Sequence, residues 1–366
     1  MRVWFAGGGT GGHLYPGLAI ARAMTAIDPS VDPFFVGARR GIERELLPAE
    51  GVPHELLDLH PLYRSRPWEN WRTIRGMFSA WRRLRALARE QKPALIVGTG
   101  GYASGLALAY GVVHRIPIAL QEANSHAGLT VRLFARFARS IWLGFPEAGK
   151  KLHAKPGALL DTGCPITPPP ARRPDRADAR ARWGFPRQGG HVILIFGGSQ
   201  GARGLNNVVA QWLRAGVPAD SWVIWGTGKG QYEELAPLAS DRVKILPYLS
   251  PIADAYAAAD LAIARAGAMT TAELCAWGIP MFLIPLPTAA ADHQTENAKS
   301  LHAAGAAVHL PQRDLTGLML DAIVRNVLGD DARLAALAAG ARARARPDAA
   351  RVIAEDALQS ARGSRG

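Results

Sequence analysis

Short apolar runs recur along this chain, and each ends at a glycine-rich or polar turn. In the first half they are Val3–Ala6, Phe34–Val36, Leu95–Val97 and Ile116–Leu120. In the second they are Val192–Phe196, Trp222–Trp225, Val243–Leu246, Leu261–Ala264 and Met281–Ile284. Between them, apolar positions recur at helical spacing. A strand buried on both faces reads as a continuous apolar run, whereas a half-exposed one alternates. Runs of this kind, alternating with helices, predict βαβ units and parallel sheets, an α/β fold.

The pattern starts twice, at Met1 and near His191. Between the two starts, Cys164–Arg187 holds six prolines and many charges. Proline continues neither a helix nor a central strand. The expected organisation is a first domain over 1–163, a linker region over 164–187 and a second domain over 188–340. The alanine- and arginine-rich 341–366 reads as a C-terminal helix packing back toward the first domain, its last residues frayed.

Each half carries a glycine loop between a strand and a helix. The first is Gly7-Gly8-Gly9-Thr10-Gly11-Gly12-His13, the second Gly197-Gly198-Ser199-Gln200-Gly201-Ala202-Arg203. Such a loop presents bare N–H groups and the positive end of a helix dipole, which suits phosphate, sugar hydroxyls or developing negative charge. The first also satisfies a dinucleotide fingerprint, and Arg39 and Arg40 could meet a 2′-phosphate, so this loop alone leaves a dehydrogenase open. The second is neither a P-loop nor that fingerprint. Strand ends of two such halves are expected to face one another across a cleft, where open α/β sheets bind ligands.

Further polar groups gather at strand ends. Gly98-Thr99-Gly100-Gly101-Tyr102 follows one strand and Gln121-Glu122-Ala123-Asn124 another. Arg265 to Glu273 runs from a strand into a helix, and Pro285-Leu286-Pro287-Thr288 leads to Asp292-His293-Gln294.

Composition narrows the function classes. The chain has 366 residues and a formal charge of +13, with a pI near 10.3. That balance favours anionic partners, although much of the excess is arginine in an alanine- and arginine-rich chain. The two cysteines, Cys164 and Cys275, make no disulfide framework. No apolar run reaches the ~20 residues needed to span a bilayer. No secretory signal pattern opens the chain. No nucleic-acid-binding module is visible, so nucleic acid is not an expected partner.

Local clustering adds a surface. Arg64–Lys92 holds nine basic residues against Glu69 and Glu90. Trp71, Ile74, Phe78 and Trp81 recur there at helical spacing, with Trp68 just before. Such a helix suits an anionic bilayer interface; a core-packed helix with a solvated basic face is the alternative.

Six segments in order resemble the lipid I N-acetylglucosaminyltransferases of glycosyltransferase family 28, the MurG group, with its GT-B fold. They are GGTGGHLYP at 8–16, GTGGYASG at 98–105, QEANSHAGLT at 121–130, GGSQGARGLN at 197–206, RAGAMTTAEL at 265–274 and PLPTAAADHQTENA at 285–298. The resemblance implies two Rossmann-like domains. It implies transfer of N-acetylglucosamine from UDP-GlcNAc to lipid I, at the cytoplasmic face of the bacterial inner membrane as a peripheral enzyme. A GT-B transferase for another lipid or aglycone is the alternative. Thr10, Gly11 and Gly12 match the loop that approaches donor sugar and acceptor, and His13 a candidate general base. Tyr102 and Asn124 match substrate contacts, Asn124 near the donor sugar, and Ser199 lies near the diphosphate. Ile252 would hold uracil through its backbone. Ala268, Met269, Thr270, Thr271, Ala272 and Glu273 would line the nucleotide, with Glu273 accepting from the ribose hydroxyls. Gln294 would contact sugar hydroxyls.

Two positions depart from the family pattern. Gln121-Glu122-Ala123-Asn124 stands where His-Glu-Gln-Asn is usual. Ile166 and Thr167 follow Thr162-Gly163-Cys164-Pro165, where an arginine is usual two residues after the proline. Arg203 or Arg265 could replace that arginine.

The expected chemistry is a single inverting displacement. An imidazole of unperturbed pKa ~6.5 suits removal of a proton from the attacking hydroxyl. Glu122 is the rival base. No Asp-x-Asp pair sits in a convincing loop, and neither a metal nor another cofactor is expected.

Overall fold

The computed structural model describes residues 1–59, 70–198 and 201–363, and side chains are not described for 70–75. Trp68 and Ser199 lie outside the described residues, and of Trp71 and Ile74 only the helical backbone is described.

The chain forms two compact units. The first comprises Met1–Thr167 together with the chain from Asp348 onward. Its elements are β1 (Arg2–Gly7), α1 (Gly11–Ile27), β2 (Asp32–Ala38), α2 (Glu43–Ala49), β3 (His54–Leu57), α3 (Asn70–Gln91), β4 (Leu95–Gly100), α4 (Tyr102–Val113), β5 (Ile118–Glu122), α5 (Leu129–Phe134), β6 (Ser140–Leu143) and β7 (Leu159–Asp161). All seven strands pair in parallel, in the order β3-β2-β1-β4-β5-β6-β7. The central strands are buried on both faces, as their unbroken apolar runs require.

The C-terminal helix, Ala349–Arg362, completes one face of this sheet. Ile353, Ala354, Ala357, Leu358 and Ala361 form its buried stripe against residues of α1, β1, β4 and Trp142. Burying an Ile or Leu side chain contributes about 2 kcal/mol. Polar bonds fix the helix at three points: Trp142 Nε1 to Asp356 at 2.9 Å, Arg139 to the Ser360 carbonyl at 3.0 Å and Arg362 to Asp28 at 2.7 Å.

The second unit spans Pro168–Pro347. It holds α6 (Arg176–Arg182), β8 (His191–Phe196), α7 (Arg203–Ala215), β9 (Ser221–Gly226), α8 (Tyr232–Leu235), β10 (Val243–Leu246), α9 (Ile252–Ala258), β11 (Leu261–Ala264), α10 (Ala268–Trp277), β12 (Met281–Leu283), α11 (His293–Ala303), β13 (Ala307–His309), α12 (Gly317–Leu328) and α13 (Asp331–Ala343). Its strands run in parallel in the order β10-β9-β8-β11-β12-β13.

Two boundaries differ from the sequence expectation. Most of 164–187 is ordered structure of one unit or the other. Cys164 and Ile166 are buried in the first unit, and α6 packs on α9 in the second. Arg180 and Arg176 both bind Asp260, Arg180 at 2.5 Å, and Arg182 grips Asp254 at 2.6 and 3.2 Å. Proline density places a linker in the middle of this stretch, and the arginine ladder of α6 reads as part of it because its acidic partners lie 72, 80 and 84 residues away. At the other end, 341–343 finishes α13, and the C-terminal helix starts afresh at Ala349.

Candidate active site

Both sheets reverse strand order at one place, between β1 and β4 in the first unit and between β8 and β11 in the second. Ligands of open α/β sheets bind at the carboxyl ends of the strands flanking such a switch point. The loops there are 8–10 and Gly101 in the first unit, 197–202 and 265–267 in the second. Topology therefore selects the segments that the glycine pattern selects. The helices these loops feed, α1, α4, α7 and α10, all begin without a side-chain cap. Asp175, Thr316 and Asp330 cap α6, α12 and α13, while α2, α5, α9, α11 and the C-terminal helix share the uncapped start, so it is the position at the switch point that singles these four out. An uncapped first turn leaves its N–H groups to a ligand or solvent.

In the first unit the two loops interlock. Ladder register slips between Ala6 and Gly7, so that Gly7 pairs with Gly100. A bulge of this kind re-aims the strand end. The Thr99 hydroxyl donates to the His13 carbonyl at 2.6 Å. A β-carbon at Gly7 would stand 1.9 Å from Thr99 Oγ1. One at Gly9 would stand 3.2 Å from the Tyr102 ring, and one at Gly100 2.7 Å from His13 Nδ1. Several glycines thus serve loop-on-loop packing rather than phosphate directly. Gly12 differs: it is exposed, and a β-carbon there would meet only Thr10 Oγ1, at 3.8 Å. Thr10 is exposed and His13 half-buried, both at the start of α1.

Behind this loop lies Glu43, fully buried, a residue sequence reasoning missed. Its carboxylate accepts from the Ala38 N–H at 3.2 Å. β-Carbons at Gly8 or Gly41 would fall 1.8 Å from its oxygens. Glycines 8, 37 and 41 are scattered along the sequence, and only the folded chain brings them to this one side chain.

Glu122 ends β5 with both carboxylate oxygens engaged. Oε1 accepts from the Asn124 N–H at 3.0 Å and the Asn124 amide at 3.3 Å, and Oε2 accepts from the Gly128 N–H at 2.7 Å. Burial pushes its carboxyl above the usual range, against the opposing pull of these donors. It braces the loop that carries Asn124, which is itself half-buried.

In the second unit the candidate residues lie on α9, α10 and the loop after β12. Ala268 to Glu273 form the first turns of α10, with Met269, Thr270, Ala272 and Glu273 half-buried. Thr271 closes the turn by donating to the Ala268 carbonyl at 3.0 Å. Glu273 Oε2 accepts from the Tyr256 hydroxyl at 2.7 Å. Burial raises the Glu273 carboxyl, and that bond pulls it partly back. Arg265, buried, donates to the carbonyls of Ile284 at 2.9 Å and Pro285 at 3.0 Å. Burial lowers its guanidinium to about 10, still charged at neutral pH. Asn297 donates to the Ala266 carbonyl at 3.1 Å, and Gln294 accepts from the Leu286 N–H at 2.9 Å. Arg203, in the first turn of α7, is exposed. Ile252 opens α9, one turn before Tyr256.

The basic aromatic segment divides in two. Phe78 is 70% exposed, with Met77 beside it. Arg82, Arg85 and Arg89 are exposed on the same helical face. Trp81 instead turns inward, its ring edge-on to Tyr110 at 5.2 Å, so the expectation that it faces a membrane is corrected. A second exposed stripe, unmarked in the sequence reading, is Leu129, Leu133 and Phe137, beside Arg132 and Arg136. Among the described residues, no helix is long and apolar enough to cross a membrane.

Comparison with known proteins gives the family. Residues 3–143 match the glycosyltransferase family 28 N-terminal domain, and residues 192–353 match the family 28 C-terminal domain. A Salinibacter ruber protein named UDP-N-acetylglucosamine--N-acetylmuramyl-(pentapeptide) pyrophosphoryl-undecaprenol N-acetylglucosamine transferase is 38% identical, over 97% of this chain and 96% of its own. A Moorella thermoacetica protein of the same name is 36% identical, over 98% and 99%. The crystal structure of Acinetobacter baumannii MurG superposes with a TM-score of 0.77 at 28% identity, covering 98% of this chain and 99% of that one. The two parallel-sheet units have the GT-B glycosyltransferase architecture. With a match in each unit and full-length relatives, the chain belongs to glycosyltransferase family 28.

Proposed function

We propose that this enzyme transfers N-acetylglucosamine from UDP-GlcNAc to the 4-hydroxyl of N-acetylmuramic acid in lipid I, forming lipid II for peptidoglycan. The observation that carries this reading is full-length identity of 36–38% to transferases of that name. The helix starts at both switch points support it, since their N–H groups suit phosphate and developing negative charge.

In this reading the first unit takes the acceptor and the second the nucleotide. The acceptor hydroxyl attacks the anomeric carbon as the carbon–oxygen bond to UDP breaks, with inversion. His13 takes the hydroxyl proton, a step typically worth ~10²–10⁴-fold. Thr10, Gly11 and Gly12 hold the reacting sugars, with Tyr102 and Asn124 beside them. Charge gathering on UDP is met by the α7 helix start, with Ser199 and Arg203. Arg203 is preferred to Arg265 for this task because it is exposed in the first turn of α7, whereas Arg265 is buried. Ile252 and Ala268–Glu273 take the nucleoside, and Gln294 the donor sugar.

Lipid I is membrane-bound, so the enzyme works as a peripheral protein at the cytoplasmic face of the inner membrane. Phe78 and the stripe Leu129, Leu133 and Phe137, each flanked by arginine, support that contact. The deciding experiment supplies labelled UDP-GlcNAc with a lipid I analogue. The expected product is the β-linked disaccharide; no transfer to that acceptor, with turnover on an unrelated lipid or aglycone, overturns the assignment.

A further inference from the structure

Tyr256 meets no substrate in the proposed reaction, yet it reaches the residue expected to read the ribose. It sits one helical turn after Ile252 on α9 and is 4% exposed. Its ring is held between Phe196, edge-on at 6.2 Å, and Trp277, at 5.6 Å. Phe196 is the last residue of β8, directly before the second glycine loop. Trp277 closes α10, and the Arg173 guanidinium covers it at 5.2 Å. The ring therefore has little freedom, and its hydroxyl points at one atom, Glu273 Oε2 at 2.7 Å.

We propose that Tyr256 is a positioning residue for nucleotide specificity: its hydroxyl ties down one oxygen of Glu273, so that the other is presented to the 2′-hydroxyl of a uridine nucleotide. The inference rests on the reading of Glu273 as the ribose acceptor. A carboxylate on a stem of two methylenes rotates, and each rotamer frozen before binding is ordering that the ligand need not supply. A buried acceptor also rejects an analogue lacking the hydroxyl, because it is then left without its donor. The Tyr256 hydroxyl is the stable donor of the pair. Burial and the neighbouring Glu273 charge hold its proton far above the neutral range.

The test measures binding of UDP and 2′-deoxy-UDP by calorimetry to the full chain and to Tyr256→Phe and Glu273→Ala. Tyr256→Phe keeps the ring and removes one oxygen. The expected result is about tenfold weaker UDP binding, the scale of one hydrogen bond to a charged group, with 2′-deoxy-UDP changed much less, so that the preference for UDP collapses. The acid limb of UDP binding moves to higher pH, since Glu273 loses the donor that lowers it. Equal weakening of both ligands with an unmoved acid limb reports packing damage alone and overturns the proposal. So does unchanged binding of both. Glu273→Ala separates the two layers. If it keeps the full preference for UDP, the ribose reading fails and the inference with it. If it loses the preference while Tyr256→Phe retains it, only the inference fails. Should the phenylalanine variant not fold, the unmodified protein still decides: a preference for UDP that does not decline on acidification through the Glu273 titration overturns the proposal.

Discussion

His13 and Gly100 meet at the switch point of the first sheet: the imidazole lies where a side chain on residue 100 would stand, 2.7 Å from Nδ1 to the would-be β-carbon. Gly100 also has φ +99°, a conformation open to glycine and strained in other residues. The neighbouring Thr99 holds the His13 carbonyl. The candidate base is therefore placed by the β4 loop as much as by its own helix.

Gly100→Ala is expected to displace the imidazole. Strain of this kind costs about 1–3 kcal/mol, and a misplacement near 1 Å can cost about a hundredfold in turnover. Steady-state transfer should show kcat falling on that scale while UDP affinity, a property of the second unit, holds. A variant with unchanged kcat would show that the His13 ring position does not matter.

The two candidate bases separate on stability. His13→Ala removes a half-buried ring and should lose ~10²–10⁴-fold in kcat with little change in melting temperature. Glu122→Gln should do the reverse. Its amide offers one acceptor where Glu122 uses two, leaving an N–H of the 124–128 loop opposed by an NH₂ group. A buried donor without a partner costs about 1–3 kcal/mol, so the melting temperature should drop while measurable transfer remains. Loss of all transfer in a Glu122→Gln protein of native stability would reassign the base.

How far the sequence reached follows from burial. Nine strands were legible because each is an apolar run closed by a polar or glycine turn. β3, β7 and β13 were not: they are short, lie toward or at a sheet edge, and leave residues such as His54, Leu159 and His309 partly exposed. β6 was missed although Ile141-Trp142-Leu143 is wholly buried, because three residues do not stand out in a chain that is 48% hydrophobic. Within the site, local motifs marked the loops. They did not mark Glu43, Tyr256 or the paired donors on Glu122. Those relations come from side chains that only the sheet order brings together.

Phe78 and Trp81 are three residues apart on α3 and should respond in opposite ways. Phe78→Glu removes an exposed apolar side chain beside Arg82, so binding to acidic vesicles should fall by about tenfold, the worth of ~1.4 kcal/mol of apolar burial, with melting unchanged. Trp81→Ala opens a hole against Tyr110 and, for a half-buried ring, should cost about 3 kcal/mol of stability, visible as a lower melting temperature. Sedimentation with vesicles and thermal unfolding, run on both variants, check the pair. Full vesicle binding by Phe78→Glu would remove that residue from the membrane surface.

Asp28 gives the C-terminal helix a pH dependence of known sign. The Ser30 hydroxyl and the Arg362 guanidinium, with the Ser30 N–H, hold its carboxyl down at about 2, against an ordinary value of 3.8. A carboxyl lowered by folding stabilises the folded chain above its unfolded pKa, and loses that contribution as pH falls through the folded one. The relevant window is from about 4 down to about 2. Asp28→Asn should therefore melt slightly below the parent at neutral pH, since an exposed pair contributes little. The gap should close as pH falls across that window. Because Arg362 is in the last turn of the helix, hydrogen exchange at Gln359–Arg362 should rise in the variant at neutral pH and match the parent in acid. A gap that stays constant down to pH 2 would mean that the carboxylate charge is not what holds this end of the helix.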